Sequence, residues 1–327
     1  MNPALRGFFA STYRLVAKTF FSDQHNPSDL NPQGVHPEAA RRRMRYMSSE
    51  NPSRVWLITG CSSGFGRALA VEVLQRGHRL IATARNAATL ADLAAQFPAT
   101  CRALTLEVTN AAQVKSVIAE AATAFVQLDV VVNNAGYGLL GALEECDDEQ
   151  IWRNFNTNLF GALRVIRAAL PILRAQKRGH IINLSAAAAI SNYAGFSIYG
   201  GAKCALEGVS EALAQELRPL GIKVTLVEPG PFRTDFISRS LDRATQPISD
   251  YEASSGKFAA FLEKANGSQP GDPAKAAQAI IHITETERTP LRLVLGKYAN
   301  DKALKQLEVR RRELEAWKEV GLPTDFA

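Results

Sequence analysis

Cysteine is scarce in this chain and poorly placed for cross-linking. Cys61, Cys101, Cys146 and Cys204 stand far apart among 327 residues, with no C-x-x-C pair. That spacing argues against a disulfide framework and against a thiolate zinc site. His25, His36, His78, His180 and His282 are equally scattered, none paired with another at ligand spacing, so no metal is expected. Apolar runs are too short to span a bilayer, so no transmembrane segment is expected either. A reducing, cytoplasmic setting is the economical reading of such cysteine usage.

Acidic residues are thin at one end. Up to Arg54, eight basic residues face four acidic ones, a surplus of four within a net charge of +6. Arg41-Arg42-Arg43-Met44-Arg45 is the densest cluster, in a tract rich in Pro, Asn, Ser and Gln. This reads as a solvated flexible arm, and no nucleic-acid partner is expected. Within residues 1–21, Arg6, Arg14 and Lys18 fall opposite Leu5, Phe9, Tyr13, Val16 and Phe20 on a helical wheel. Such a basic amphipathic helix suits a mitochondrial transit peptide, the alternative to a cytoplasmic location, or a membrane-surface helix. Residues 1–53 are therefore read as an N-terminal extension.

From Arg54 onward, strand and helix signals alternate. Val55-Trp56-Leu57-Ile58-Thr59, Leu80 to Ala84, Ala103 to Leu106, Asp129 to Val132, Ile181 to Leu184 and Val224 to Val227 are short apolar runs. Helical patterns separate them, including one over residues 111–125 and a long one over 148–170. Near-continuous apolar strands between helices indicate a parallel sheet covered on both faces. The expected fold is α/β, a doubly wound Rossmann-type parallel sheet, in a single domain over residues 54–327.

At the first strand end stands Thr59-Gly60-Cys61-Ser62-Ser63-Gly64-Phe65-Gly66. Glycines there permit a tight turn and close backbone approach to a pyrophosphate, and the following helix offers its positive end. The same stretch contains Gly60-x-Ser62-x-Gly64, the spacing of a serine-hydrolase nucleophile elbow. That rival would use Ser62 with Asp272 and His282, but an elbow follows a central strand and this turn follows the first. The second strand ends at Ala84-Arg85, without the acid that would hold the ribose hydroxyls of NAD. Arg85 can meet a 2′-phosphate, which points to NADP. On a helix further along, Tyr199 and Lys203 lie four residues apart, so phenol and ammonium share one face.

Four ordered motifs carry a family resemblance: Thr-Gly-x-x-x-Gly-x-Gly from Thr59, Asn133-Asn134-Ala135-Gly136, Tyr199-x-x-x-Lys203, and Pro229-Gly230. From Arg54 to about Leu295 the chain resembles the short-chain dehydrogenase/reductase family. Gly138, the run Glu228 to Phe236 and the tail 314–326 look like its hydroxysteroid- and retinol-dehydrogenase-like oxidoreductases. The resemblance implies that Tyr199 is the acid/base, that Lys203 binds the nicotinamide ribose and lowers the tyrosine pKa, and that Asn158 holds a water linking Lys203 to solvent. It implies cofactor contacts from Gly60, Ser62, Ser63, Gly64, Phe65, Gly66, Arg85, Asn133, Ala135, Gly136, Tyr199, Lys203, Pro229, Gly230 and Thr234, the last holding the carboxamide. It also implies a small-molecule carbonyl or alcohol as substrate and a homo-oligomer. A lid is expected between Ile237 and Leu262, where Tyr251, Phe258 and Phe261 suit an apolar pocket.

One family position departs. The serine thirteen residues before the tyrosine is Ala186 here, and the adjacent hydroxyl is Ser185. Neighbours on an extended segment point to opposite sides, so Ser185 replaces the missing group only if the strand end bulges. The expectation is an NADP-dependent oxidoreductase on a largely apolar ketone, aldehyde or alcohol, slowed by Ala186. The alternative is an NADP-binding sensor or scaffold with little turnover.

Overall fold

The computed structural model describes residues 53–326. The basic amphipathic and flexible tracts expected within residues 1–52 lie outside them. Seven strands form one parallel sheet: β1 (Val55–Ile58), β2 (Arg79–Ala84), β3 (Cys101–Thr105), β4 (Val130–Asn133), β6 (Gly179–Leu184), β7 (Ile222–Pro229) and β9 (Arg292–Leu295). Their spatial order is β3-β2-β1-β4-β6-β7-β9. A separate parallel pair joins β5 (Gly138–Leu140) to β8 (Leu241–Arg243). The helices are α1 (Gly64–Gln75), α2 (Ala91–Gln96), α3 (Ala111–Ala124), α4 (Asp148–Phe155), α5 (Ala162–Gln176), α6 (Ala187–Ile190) and α7 (Ser197–Leu217). They continue as α8 (Phe236–Arg239), α9 (Lys257–Ala265), α10 (Pro273–Glu285) and α11 (Lys297–Gly321).

Strand alternation builds two cores. Trp56, Ile58, Leu80, Ala82, Val130, Val132 and Ile182 face α1 and α10, which contribute Leu69, Val73, Ala277 and Ile280. Val55, Leu57, Ile81, Val131, Ile181 and Val224 face the other way, onto Val114, Ile118, Val165, Ala169, Leu173 and Leu213 of α3, α5 and α7. Because both faces are covered, every residue of β1 and β4 is buried, and this explains why those strands read as unbroken apolar runs.

No strand was read from the sequence beyond β7. β9 extends the sheet, pairing Leu226 to Pro229 with Arg292 to Leu295. The helix expected over 148–170 is instead α4 and α5 joined through a π-helical segment, Asn156–Gly161. Such a bulge adds a residue to the turn and is frequent where a side chain must be re-aimed at a functional site. Between β1 and β4 the strand order reverses direction, and a crevice opens above the strand ends there.

Candidate active site

The glycine turn is held by contacts that leave no room for side chains. Gly60 and Gly64 have φ of +74° and +57°, in the left-handed region. A Cβ on Gly66 would stand 2.2 Å from the Gly60 carbonyl oxygen and 2.4 Å from Asn134 Nδ2. Asn134 Nδ2 donates to the carbonyls of Thr59 and Gly60 at 2.8 and 2.9 Å, while Thr59 Oγ1 accepts from the amides of Asn134 and Ala135 at 3.0 Å each. Together these bonds fasten β1's turn to β4's. Ser63 makes no side-chain cap on α1, and the first turn of α1 has no acid. The positive end of that helix and its amides therefore face the crevice uncompensated, as an anion-binding site requires.

The crevice is a cleft of about 840 Å³, within the range of small-molecule and cofactor sites. Gly60, Ser62, Ser63, Gly64, Phe65, Arg85, Ala135, Gly136, Asn158, Ser185, Tyr199, Lys203, Pro229, Gly230 and Thr234 all line it. Two expected residues do not. Gly66 is buried beneath the turn, where it lets α1 pack onto Gly60. Asn133 turns into the sheet, donating from Nδ2 to Asn183 Oδ1 at 2.8 Å. It is Asn134 that lines the cleft, because successive residues at the end of β4 point to opposite sides. Arg85 is exposed and has no acidic partner among the described residues.

Tyr199 and Lys203 sit one turn apart on α7, both buried. Lys203 Nζ donates to the Leu184 carbonyl at 2.8 Å and lies 5.8 Å from the centre of the Tyr199 ring. Burial pushes the lysine down to about 8, with Glu207 pulling the other way. Burial also raises the Tyr199 phenol above its ordinary range. The depression expected from Lys203 is not seen in the chain alone, where the ammonium is turned toward Leu184. Asn158 sits on the π-helical segment. It accepts from Tyr137 N at 3.3 Å and donates to the carbonyls of Tyr137 and Asn154 at 2.9 and 3.0 Å. A Cβ on Gly136 would meet Asn158 Oδ1 at 2.4 Å and Lys203 Nζ at 3.5 Å, so a glycine keeps this corner open.

The strand end does not bulge at Ser185. Its amide donates to Val227 in continuation of the β6–β7 ladder, and Ala186 is extended at φ −164°, ψ 159°. Ala186 packs with Leu140, Ala188, Phe196 and Tyr199, whereas Ser185 Oγ is buried without a partner among the described residues. Both residues line the cleft, and the Ser185 hydroxyl is fully enclosed there.

The lid region is folded against the body. Gly138 N donates to Ser240 O, Ala244 N to Leu140 O, Ile248 N to Glu145 Oε1 and Gln150 Nε2 to Arg243 O, each at 2.8 Å. Inside it, Tyr193 stacks on Phe258 at 4.8 Å, and Phe196 sits edge-on to both Phe258 and Tyr199 at 4.9 and 5.1 Å. Phe236 closes on Tyr199 at 5.7 Å. Phe258 and Phe261 line the cleft as expected, but Tyr251 bonds to Glu144 outside it. Tyr193, Phe196, Phe236 and Gln269 also line the cleft. Sequence reasoning missed them, although Phe196 lies one helical turn before Tyr199.

The hydrolase constellation does not assemble. Asp272 caps the start of α10 by accepting from Ala274 N, while His282 is exposed near its far end. Ten residues of helix hold them about 15 Å apart, and neither lines the cleft beside Ser62.

A doubly wound sheet with a glycine-turn anion site and a buried tyrosine–lysine pair defines a dinucleotide-dependent oxidoreductase class. The comparisons make that class a family. The family model described as short chain dehydrogenase matches residues 54–244. Oxidoreductase BOA17 of Botryotinia fuckeliana is 38% identical over 272 residues, covering 83% of this chain and 98% of that protein. The 3-ketodihydrosphingosine reductase of Bacteroides thetaiotaomicron is 36% identical over 248 residues, covering 74% and 88%. A short-chain dehydrogenase structure from Streptomyces avermitilis superimposes with a TM-score of 0.79 at 40% identity, over 84% of this chain and 100% of that one. The chain belongs to the short-chain dehydrogenase family, whose members are oxidoreductases working with a nicotinamide cofactor on small molecules.

Proposed function

We propose that the protein is an NADP-dependent reductase of a largely apolar ketone or aldehyde, working reversibly on the alcohol, with Tyr199 as acid/base. The observation that carries this reading is the pairing of buried Tyr199 and Lys203 at the cleft wall beside Asn158 and Gly136. Bound nicotinamide supplies or takes the hydride. Gly60, Ser62, Ser63, Gly64 and Phe65 hold its pyrophosphate side, and Thr234, Pro229 and Gly230 the nicotinamide side. Arg85, exposed and without an acidic partner, favours a 2′-phosphate and hence NADP over NAD.

Burial keeps the Tyr199 phenol protonated, which suits donation to a carbonyl oxygen. Lys203, protonated below about 8, stabilises the phenolate that donation leaves. Asn158 fixes the π-helical segment against Tyr137 beside the lysine and is assigned the water that refills the proton. The Ser185 amide, bonded to the Val227 carbonyl, holds the strand end beside the cleft. The aromatic lining of Phe196, Phe236, Phe258 and Phe261 supports an apolar substrate, as does likeness to a protein named 3-ketodihydrosphingosine reductase. Trp152, Phe160 and Val209 are exposed on the outer face of α4, the π-helical segment and α7, and this face supports a homo-oligomer.

Stopped-flow oxidation of NADPH with a panel of aryl and alkyl ketones tests the reading. Turnover is expected with NADPH and apolar ketones. A second reading, an NADP-binding sensor, is favoured by Ala186. It wins if no ketone is reduced by wild type or by Ala186→Ser while NADPH still raises the melting temperature.

A further inference from the structure

A carbonyl oxygen gathering negative charge has two lone pairs to satisfy, and the side chains packed around Tyr199 offer no free donor beside its own hydroxyl. The Tyr199 hydroxyl bonds to no described residue and opens onto the cleft. Around it the wall is apolar: Leu140, Ala186, Ala188 and Phe196 form one buried cluster, with Phe236, Leu241 and Phe258 packed on it. The other polar groups nearby are spent or enclosed. Tyr193 Oη donates to Tyr298 Oη at 3.0 Å, Lys203 Nζ donates to Leu184, and Ser185 Oγ is enclosed, with no exposed surface.

We propose that the substrate brings the missing donor itself, as a hydroxyl on the carbon β to the carbonyl, seated over Ala186. The proposal rests on the reductase reading above. A β-hydroxyl closes a six-membered hydrogen-bonded ring onto the carbonyl oxygen. An α-hydroxyl closes a five-membered one whose donor angle is sharper, and hydrogen bonds weaken steeply as that angle closes. In the reduction the carbonyl carbon gains a hydride with its two electrons from the reduced nicotinamide. The oxygen gains the Tyr199 proton, and the C=O π bond becomes a C–H bond and an O–H bond. The β-hydroxyl keeps its own proton throughout, and the tyrosine is reprotonated from solvent. The substrate class is thus β-hydroxyketones and their vinylogous or aromatic analogues with an apolar body.

The test compares β-hydroxypropiophenone with its methyl ether, which is one methyl larger, keeps the acceptor oxygen and loses the donor. Wild type, Ala186→Ser and Ala186→Cys are each assayed with NADPH. Wild type is expected to favour the hydroxyketone in kcat/KM by about 10–100-fold, the scale of one oxyanion donor at its lower end. Ala186→Ser supplies a protein donor, so it should raise the ether's kcat/KM about tenfold and bring the ratio within about threefold. Ala186→Cys matches the volume with a poor donor and should leave the ratio near that of wild type. A readout without turnover accompanies it: the product diol should raise the holoenzyme's melting temperature more than its monomethyl ether in wild type, and equally in Ala186→Ser. Equal turnover of both ketones by wild type overturns the proposal and leaves the reductase reading standing, as does a ratio unmoved in folded Ala186→Ser. No turnover of either ketone by any form, with NADPH still bound, sinks the reductase reading and the proposal with it.

Discussion

On the sheet side, the cleft wall is backbone and amide: Gly60 fits closely against Asn134 and Ala135, Asn134 bonds to the Thr59 and Gly60 carbonyls, and Gly136 fits closely against Asn158. On the lid side it is aromatic side chain: Phe258 meets Tyr193 and Phe196 at 4.8 and 4.9 Å, and Phe196 and Phe236 close on Tyr199 at 5.1 and 5.7 Å. The first wall has a fixed shape because each of its groups is held by a named partner. The second takes its shape from which rings happen to meet, so it can be repacked without unfolding the sheet. A rigid half for a constant ligand and an adaptable half for a variable one is the division of labour this contrast implies.

The largest expected effect comes from breaking the rigid half. Gly66→Ala places a methyl into the Gly60 carbonyl and Asn134, and such overpacking costs about 1–3 kcal/mol. Melting temperature should fall by several degrees, and the stabilisation by NADPH should largely disappear. An unchanged NADPH-induced shift would mean the turn is not the pyrophosphate site.

At the seam between the halves, Lys203 sets the next effect. Burial pushes it down to about 8, so the ammonium that assists Tyr199 is present below that pH and lost above it. Carbonyl reduction should therefore hold up to about pH 8 and then fall roughly tenfold per further unit. A reduction rate still rising through this range would contradict the role given to Lys203.

Smaller again is the cofactor choice. Arg85→Ala should weaken NADPH binding by about tenfold, the scale of a charge-assisted hydrogen bond to phosphate, while leaving NADH binding as it was. Equal losses for both would assign Arg85 a structural role. The mildest change belongs to the adaptable half: Phe261→Ala, at a ring 59% exposed, should shift the KM for apolar ketones about threefold and leave kcat and NADPH affinity alone. A collapse in kcat would show that the lid side is as exacting as the sheet side.

The same contrast decides how much could be read from the sequence. The glycine turn, Asn158 and the Tyr199–Lys203 pair could be placed on the cleft wall because local geometry restricts which residues those places accept. Two details of that half escaped. Which asparagine of Asn133-Asn134 faces the cleft depends on the phase of β4 at its last residue, and the role of Gly66 depends on a contact with Asn134, far along the chain. β9 was missed because Arg292 to Leu295 is a run of only four residues, opened by a charged and exposed one. The lid was legible only as an apolar segment. Phe258 and Phe261 enter the cleft and Tyr251 does not, since its hydroxyl finds Glu144 on the outside. Pairings such as Tyr193 with Phe258 join segments 65 residues apart, and no local periodicity encodes them.

The account turns on Tyr199 as the proton donor at a site that otherwise binds cofactor normally. The most direct measurement sets Tyr199→Phe beside wild type in single-turnover NADPH oxidation with a reducible ketone, with NADPH-dependent melting as the control. The account predicts a loss of about 10²–10⁴ in the hydride-transfer rate, the usual worth of a positioned acid, with an unchanged NADPH-induced shift in melting temperature. A variant that reduces the ketone as fast as wild type would contradict it.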